Sequence, residues 1–357
     1  MSRTFSIYLD AVRFIAAIAV FLTHLSTENI LRINLVSQFG HDAVVVFFVL
    51  SGCVIAYTVE SRDRDLKTYA ISRLARLWSV VIPALCLTLV LDPLGGAFTR
   101  EASGSLDHSF LTILANALFI NQLWFLNLVP GSNSPFWSLG FEVWYYALFA
   151  AFTFFSGIRR IFGIAVIALI AGPKILIMLP IWLLGVAVYR WCPRWGELAG
   201  WTIFIGSVVL YLVYRWANFT PVAIRISDFL HVEHAKFGMA YYFSSDYAVG
   251  VLVALNFWGF RACEHRVAPL FDQLKVSIRV LAGFTFSLYL FHVPIIDYLG
   301  RLLGKGNYLI PVIAMVAIFA LGAITERKKD AFRRILVQAT EHAHQLFAKA
   351  SALTLRT

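Results

Sequence analysis

Residues Leu9 to His24 read L-D-A-V-R-F-I-A-A-I-A-V-F-L-T-H, an apolar run interrupted by three ionisable side chains. The apolar block around this stretch, residues 7 to 25, is long enough to cross a hydrocarbon core of about 30 Å as one helix. Each charge buried there costs about 2.5–3.5 kcal/mol on insertion scales. The stretch therefore predicts a transmembrane helix whose ionisable residues have a function.

The whole chain has the same character. Of its 357 residues, 60% are hydrophobic and only 14% are charged, and the mean hydropathy is +0.75. Soluble enzymes, nucleic-acid-binding proteins and disordered scaffolds do not have this composition. The net charge of +10 is therefore read by position along the chain. The composition predicts an all-α polytopic integral membrane protein.

Eleven apolar blocks alternate with short polar connections. Most are about twenty residues long, which fits helices and excludes the strands of about ten residues that form membrane barrels. The blocks run roughly from 7 to 25, 43 to 60, 77 to 93, 109 to 128, 137 to 157, 161 to 172, 175 to 191, 198 to 216, 240 to 260, 280 to 301 and 307 to 325.

The placement of lysine and arginine predicts the topology. If all eleven blocks crossed from a cytoplasmic N-terminus, the basic 261–279 loop and the basic tail would face outward, against the positive-inside rule. The 109–128 block carries Asn116, Asn121 and Gln122, and we expect it not to cross. The prediction is about ten transmembrane helices plus one non-crossing or re-entrant segment, with both termini cytoplasmic.

This topology divides the chain into a membrane domain, residues 1–325, and a cytoplasmic tail, residues 326–357. The tail is interpreted as a basic amphipathic helix on the inner leaflet, or alternatively as a solvated run of charges. The four cysteines lie in or beside apolar blocks, where we expect them to pack rather than to form disulfides. The first block lacks a cleavage site and is interpreted as a retained helix.

The first helix presents Asp10, Arg13 and His24 on one face, because an 11-residue step returns to within about 20° of the same azimuth. Arg13 and His24 are then about 16 Å apart along the axis. This face marks a path through the membrane. In the alternative interpretation, Arg13 pairs with Asp10 near one surface while His24 only lies at the other.

Two later helices carry buried ionisable groups. The stretch W-S-L-G-F-E-V-W-Y-Y places Glu142 inside a helix that begins near Trp137. The predicted topology puts Glu142 at the depth of His24, where a carboxylate would orient an imidazole base. The stretch S-L-Y-L-F-H-V-P holds His292, which is either functional or a hydrogen-bonded packing residue.

Arg73 and Arg76 lie one helical turn apart in Y-A-I-S-R-L-A-R-L-W. Two guanidinium groups on one side of a helix suit the recognition of phosphate. Arginine at the cytoplasmic end of a span is also what the positive-inside rule predicts, so both interpretations stay open.

Taken together, these motifs resemble the membrane acyltransferase 3 family of bacterial sugar O-acyltransferases. In chain order the motifs are L-D-A-V-R-F-I-A-A-I-A-V-F-L-T-H from Leu9 to His24, F-F-V-L-S-G-C-V-I from Phe47 to Ile55, the R-x-x-R of Arg73 and Arg76, W-S-L-G-F-E from Trp137 to Glu142, and S-L-Y-L-F-H-V-P from Ser287 to Pro294. The chain departs from the family pattern at Asp42, Ala43 and Cys53.

The resemblance implies an O-acyltransferase of the bacterial cytoplasmic membrane. It implies acyl-CoA, with acetyl as the commonest acyl group, as a cytoplasmic donor substrate, with no permanently bound cofactor. The acceptor would be a hydroxyl of an envelope or exported glycan or glycolipid at the outer side. Membrane lipids are the other expected partners, and nucleic acid is not.

Each candidate site residue then has an expected role. The assignments are His24 and Glu142 as catalytic residues, Arg13, Arg73 and Arg76 for donor binding, and Asp10, Trp137, Ser287 and His292 as supporting residues. No metal site is predicted, since His231-Val-Glu-His234 lacks a zinc-protease spacing. The aromatic-rich segment 216–247 is the expected specificity region.

Two other functions remain open from the residues alone. Intramembrane His, Glu and Arg are also found in proton-coupled transporters, although the internal repeats common in transporters are not visible here. A non-catalytic polysaccharide-export subunit would also explain the basic tail and the aromatic segment.

Overall fold

The computed structural model describes residues 1–31, 39–94, 109–328, 330–338 and 341, and within these ranges it contains helices and no strand. The helices are α1 Arg3–Thr27, α2 Phe39–Ser61, α3 Leu66–Leu94, α4 Phe110–Ala117, α5 Trp137–Phe154, α6 Gly157–Ala171, α7 Pro173–Arg190, α8 Glu197–Trp216, α9 Thr220–Phe229, α10 His234–Phe237, α11 Phe243–Ala282, α12 Thr285–Leu303 and α13 Leu309–Ile324. Single 3₁₀ turns cover Ser134–Phe136, Gly238–Tyr242 and Glu326–Lys328. The predicted all-α class is confirmed.

Six helices in the described ranges are long and apolar enough to cross a membrane, or up to seven if the pair α11 and α12, bent by 42°, forms one span. Many large apolar side chains also face outward, such as Leu198 at 81% exposure and Ile158 at 76%, as expected for a lipid-facing surface. The protein is a multi-pass membrane protein. The count of about ten spans and the cytoplasmic termini remain predictions.

Helix α11 corrects one sequence boundary. The expected loop over residues 261–279, after an apolar block that ends at residue 260, is wrong: α11 is one helix of 40 residues, about 60 Å long. The polar half continues the helix up to Gly283. Pro269 lies within it, and no other proline or glycine occurs between Arg261 and Gly283. Its extension packs on the start of α1, where Ser2 donates to Glu264 at 2.6 Å.

The segment 109–128 does not cross as a helix, in agreement with the prediction. Helix α4 has eight residues, a rise of about 12 Å, and irregular backbone follows it. Indole groups from other helices satisfy this backbone: Trp78 Nε1 donates to the Ala117 carbonyl at 2.9 Å and Trp144 Nε1 to the Phe119 carbonyl at 3.0 Å. Irregular backbone is tolerated at membrane depth when protein groups pair with it in this way.

A buried lysine anchors the same segment. Lys174, at the start of α7, is fully buried. Its ammonium group donates to Gln122 Oε1 and Asn127 Oδ1, each at 2.8 Å, and to the Leu126 carbonyl. The ammonium therefore has three protein acceptors in place of water, and one of them, Gln122, is among the polar residues that marked the segment in the sequence.

We expect Lys174→Met to destabilise the protein, because an apolar side chain of similar length leaves the buried Gln122 side-chain oxygen without its donor and removes two further hydrogen bonds. The cost is about 2–3 kcal/mol, which corresponds to a fall of roughly 5 °C in the unfolding midpoint. Thermal unfolding of the detergent-purified protein measures it. Lys67→Met, at an exposed position, serves as the control, and an equal midpoint for both variants would contradict the anchoring role.

Helix α2 lies at the centre of the helix assembly. It buries residues on all of its faces, including the successive Phe48, Val49 and Leu50, which is typical of a helix surrounded by other helices. It touches α7 backbone to backbone, since a Cβ atom at Gly52 would overlap the Trp182 carbonyl. Small residues permit this close approach between membrane helices, and it holds the neighbouring Ser51 in place.

The assembly has two ends. The Arg76 end contains the starts of α1, α3 and α12, the end of α2 and the turn Glu326–Lys328. The His24 end contains the end of α1 and the starts of α2 and α5, as shown by the His41 and Trp137 rings, which stack with centroids 6.1 Å apart. These two ends locate the functional groups below.

Candidate active site

A narrow cavity with a volume of ≈ 80 Å³ runs between α1, α2, α3, α5 and α12. Four charged residues line it: Arg13, Arg76, Glu142 and Glu326. Three of them are at the Arg76 end, and Glu142 lies deeper. The fold thus brings together residues that are far apart in sequence, and it adds Glu326, which sequence analysis assigned to the tail.

Glu142 is held by two hydroxyl groups. Ser51 Oγ donates to Glu142 Oε1 at 2.5 Å, and the Tyr146 hydroxyl donates to the same oxygen. Trp182 Nε1 donates to Ser51 Oγ at 3.2 Å. Sequence reasoning missed Ser51 and Tyr146, although Tyr146 lies four residues after Glu142 and therefore on the same helix face.

Glu326 accepts hydrogen bonds at the start of α12. The amide of Ser287 donates to Glu326 Oε2 at 2.9 Å, and the Ser287 hydroxyl donates to it at 2.8 Å. A carboxylate is favourable at this helix end because the first amides of a helix have no partner within it. The predicted supporting residue Ser287 therefore positions a carboxylate beside the arginines.

Arg13 and Arg76 form the cationic part of the cavity. Arg13 Nη1 lies 3.3 Å from Asp10 Oδ1, so the predicted ion pair exists. Within the described part of the chain, no hydrogen bond or ion pair engages the Arg76 guanidinium. Both arginines also line a wider recess of ≈ 510 Å³ together with Arg279, which places cations at the mouth of the cavity.

The sequence predicts that both arginines of the R-x-x-R motif face a phosphate, but Arg73 already has a partner within the protein. Arg73 pairs with Asp63, and the two side chains are only 11% and 7% exposed. It also donates to Ser72 Oγ at 3.2 Å and to Thr58 Oγ1 at 3.3 Å. Arg73 ties the start of α3 to the end of α2, whereas Arg76 is available to a ligand.

Replacing Arg73 by alanine should therefore harm stability, because it leaves Asp63 buried without its cation. Breaking a buried pair costs about 3 kcal/mol, or roughly 5 °C in the unfolding midpoint. Arg76→Ala should shift the midpoint by less than about 2 °C, since it removes no ion pair. Thermal unfolding of the two purified variants compares them, and equal stability would contradict the distinction.

His24 and His292 contact each other at the other end of the site. His24 Nδ1 lies 3.1 Å from His292 Nε2 and 3.0 Å from the Val20 carbonyl oxygen. His292 is fully buried, and its Nδ1 lies 2.8 Å from the Leu288 carbonyl oxygen. The predicted supporting residue is thus the direct neighbour of the predicted base.

These contacts define the tautomers of the two neutral rings. A carbonyl oxygen only accepts, so each Nδ1 carries a proton. The single Nδ1 proton of His24 is then shared between the Val20 carbonyl oxygen and His292 Nε2, both of which accept, and His24 Nε2 retains its lone pair. In the described ranges, no hydrogen bond uses His24 Nε2, and the half-buried ring can offer this atom to a substrate.

The geometry corrects the predicted pairing of His24 with Glu142. Ser138 and Tyr289 lie at the same depth along the helix axes, because their hydroxyl oxygens are 2.7 Å apart. Glu142 lies four residues from Ser138 toward the Arg76 end, and His292 lies three residues from Tyr289 toward the His24 end. The carboxylate and the imidazole pair are therefore separated by about 10 Å along the helix axes, and His292 takes the expected place of Glu142.

A proline fixes the helix beside His292. Pro294 has no amide proton, so it leaves the Leu290 carbonyl without its partner four residues on. Asn133 fills this position, since its Nδ2 donates to the Leu290 carbonyl at 2.8 Å and to Thr88 Oγ1 at 3.1 Å. The irregular segment before α5 thereby buttresses the histidine pair.

Trp137, the last predicted supporting residue, stacks on a third histidine, His41. The His41 ring is nearly parallel to the Trp137 indole, with an interplanar angle of 11°. His41 Nε2 lies 2.8 Å from Asp246 Oδ1, and Asp246 is fully buried. Asp246 lies in the first turn of α11 and within the aromatic segment 216–247, so the expected specificity region reaches the His24 end.

Asp42, one of the departures from the family pattern, has a structural partner. Arg215 contacts both of its carboxylate oxygens, and the Tyr211 hydroxyl donates to Oδ2 at 2.7 Å. This cluster joins the start of α2 to the end of α8. Of the cysteines, Cys53 and Cys263 are buried as expected, whereas Cys86 and Cys192 are exposed.

Comparisons with known proteins agree with this architecture. The chain matches the sequence profile of the acyltransferase 3 family, described as an acyltransferase domain, over residues 6–327. It belongs to this family.

One relative is acyltransferase MdmB from Streptomyces mycarofaciens, 27% identical over 150 residues. The match covers 40% of this chain and 37% of the relative, less than two thirds of the relative's length. No solved structure matches the chain.

Proposed function

We propose that this protein is an O-acyltransferase of the bacterial cytoplasmic membrane that transfers an acyl group, acetyl in the simplest case, from acyl-CoA to a glycan hydroxyl. The main observation is the order of groups from one end of the site to the other: Arg13 and Arg76 at the Arg76 end of the central cavity, then Glu142 deeper in it, then the His24–His292 pair beyond its lining. The Arg76 end would face the cytoplasm, where acyl-CoA is made. The His24 end would face outward, toward an envelope or exported glycan.

Arg13 and Arg76 would bind the phosphates of the donor. Arginine suits this task because its planar fork makes charge-assisted hydrogen bonds to phosphate oxygens. The pantetheine arm of acyl-CoA would then enter the cavity and carry the thioester past Glu142. Ser138 and Tyr289 line the cavity at a depth between Glu142 and His292, and their hydroxyl oxygens are 2.7 Å apart, so we expect these side chains to move when the thioester reaches His24.

His24 would remove the proton of the acceptor hydroxyl. An alcohol is a weak nucleophile at neutral pH and needs a base as it attacks. The Nε2 lone pair accepts the proton, the hydroxyl oxygen bonds to the thioester carbon, and the carbon–sulfur bond breaks. The imidazolium then returns its proton to the thiolate of CoA. His292 orients the ring through Nδ1, in the way that a carboxylate does in a hydrolase triad.

In an alternative, covalent mechanism, His24 Nε2 itself attacks the thioester and carries the acyl group to the acceptor. Both mechanisms use the lone pair of His24 Nε2, and they differ in whether CoA leaves before the acceptor binds. Initial rates at several fixed acceptor concentrations separate them, because an acyl-enzyme gives ping-pong kinetics. Glu142, with its two hydroxyl donors, would line the route of the donor in either mechanism.

The first functional prediction is that His24→Ala abolishes transfer. It removes the base, while acyl-CoA binding at the Arg76 end should change less than twofold. General base catalysis accounts for about 10²–10⁴-fold in rate, so transfer should fall at least 100-fold. The measurement is acyl transfer by purified protein together with mass spectrometry of cell glycans. Glycan acylation close to that of the unmodified protein would refute the assignment.

His292→Gln provides the matched control for this mechanism. The glutamine carbonyl oxygen can still accept a hydrogen bond from His24 Nδ1, so the variant should keep more activity than His292→Leu. A reversed order of these two variants would contradict the orienting role.

The second functional prediction concerns the donor. Arg76→Ala should raise the KM for acyl-CoA about tenfold or more, because a hydrogen bond to a charged group is worth about 1.5–3 kcal/mol. Its kcat should change little, since Arg76 lies far from His24. Arg76→Lys should recover part of the loss, because a point charge lacks the fork. An unchanged KM in Arg76→Ala would exclude this residue from donor binding.

A further inference from the structure

A second basic recess, with a volume of ≈ 330 Å³, lies beside Arg76. It is formed by the end of α2, the start of α3 and the helical residues 330–338. Four arginines and two aspartates line it: Arg62, Arg73, Arg76, Arg333, Asp63 and Asp330. The tail therefore reaches the site through Arg333, rather than only lying on the membrane or in solvent.

The recess has more positively than negatively charged side chains. Its four arginines and two aspartates leave two positive charges in excess. Arg73 and Asp63 already neutralise each other in their buried pair. Among the residues that the structure describes, no hydrogen bond or ion pair engages the guanidinium groups of Arg62, Arg76 or Arg333. This arrangement fits a dianion bound between helix α2 and the tail.

Arg76 connects this recess to the others. It also lines the central cavity and the recess that contains Arg13 and Arg279. Two basic recesses thus flank the mouth of the cavity. Coenzyme A carries two separate anionic groups, the diphosphate attached to its pantetheine arm and the 3′-phosphate on its ribose. The diphosphate must lie at the cavity mouth if the arm is to enter, which leaves the 3′-phosphate for the neighbouring recess.

We propose that Arg333, together with Arg62, binds the 3′-phosphate of coenzyme A. This inference rests on the proposed function, since it assumes an acyl-CoA donor. It assigns the first turns of the tail to the donor site and explains why a basic tail follows the membrane domain. The recess would also discriminate between donors with and without the 3′-phosphate.

The experiment compares acetyl-CoA with acetyl-3′-dephospho-CoA as donors for the full-length protein in detergent or vesicles. Arg333→Gln should raise the KM for acetyl-CoA about tenfold and leave the KM for the dephosphorylated donor unchanged. Its kcat should stay the same with both donors. Arg62→Gln should show the same selectivity, and Arg333→Lys should recover part of the loss. The matched control is Arg334→Gln, an exposed neighbour that does not line the recess, and it should leave both KM values unchanged.

Two results would overturn the assignment. An equal rise in KM for both donors would show that Arg333 acts through the structure and not through the 3′-phosphate. An unchanged KM for acetyl-CoA in Arg333→Gln would show that the residue does not bind the donor. If the unmodified protein transferred no acyl group from either donor, the proposed function itself would fail, which is a separate outcome.

Discussion

The absence of water from the hydrocarbon core constrains this structure more than any other factor, because each polar group placed there must find its partner within the protein. Lys174 exchanges hydration for three oxygen acceptors. Asp42 is enclosed by Arg215 and Tyr211. Among the described residues of the site, the Arg76 guanidinium at one end has no hydrogen bond or ion pair, and His24 Nε2 at the other end has no hydrogen bond.

The partners of the buried groups also explain how the site is built. Ser51 stands next to Gly52, where α2 and α7 touch, so close packing fixes the hydroxyl that holds Glu142. The carbonyl left open by Pro294 is met by Asn133, which ties the irregular segment to the helix of His292. Close helix contacts and helix breaks therefore occur where side chains must be positioned.

The separation of charges along the cavity matches the needs of transfer across a membrane. Arginines gather where a phosphorylated donor would arrive, and a neutral pair of imidazoles lies where a hydroxyl would lose its proton. A hydrogen bond from Nδ1 to a neutral ring holds His24 without introducing a buried carboxylate beside it. Burying such a charge would be costly, and the fold keeps Glu142 near its own hydroxyl donors.

The sequence by itself determined the membrane class, because composition and block length depend only on transfer free energies. Helix periodicity also placed Asp10 beside Arg13, and the amides at 116 and 121 marked the segment that does not cross. Only the tertiary structure decided which buried groups meet. Sequence spacing predicts the depth of Glu142 to within a helical turn or two. It does not reveal that Arg73 forms an ion pair with Asp63 or that His292 contacts His24. Those pairings depend on how helices from distant parts of the chain pack, and local periodicity carries no information about such contacts.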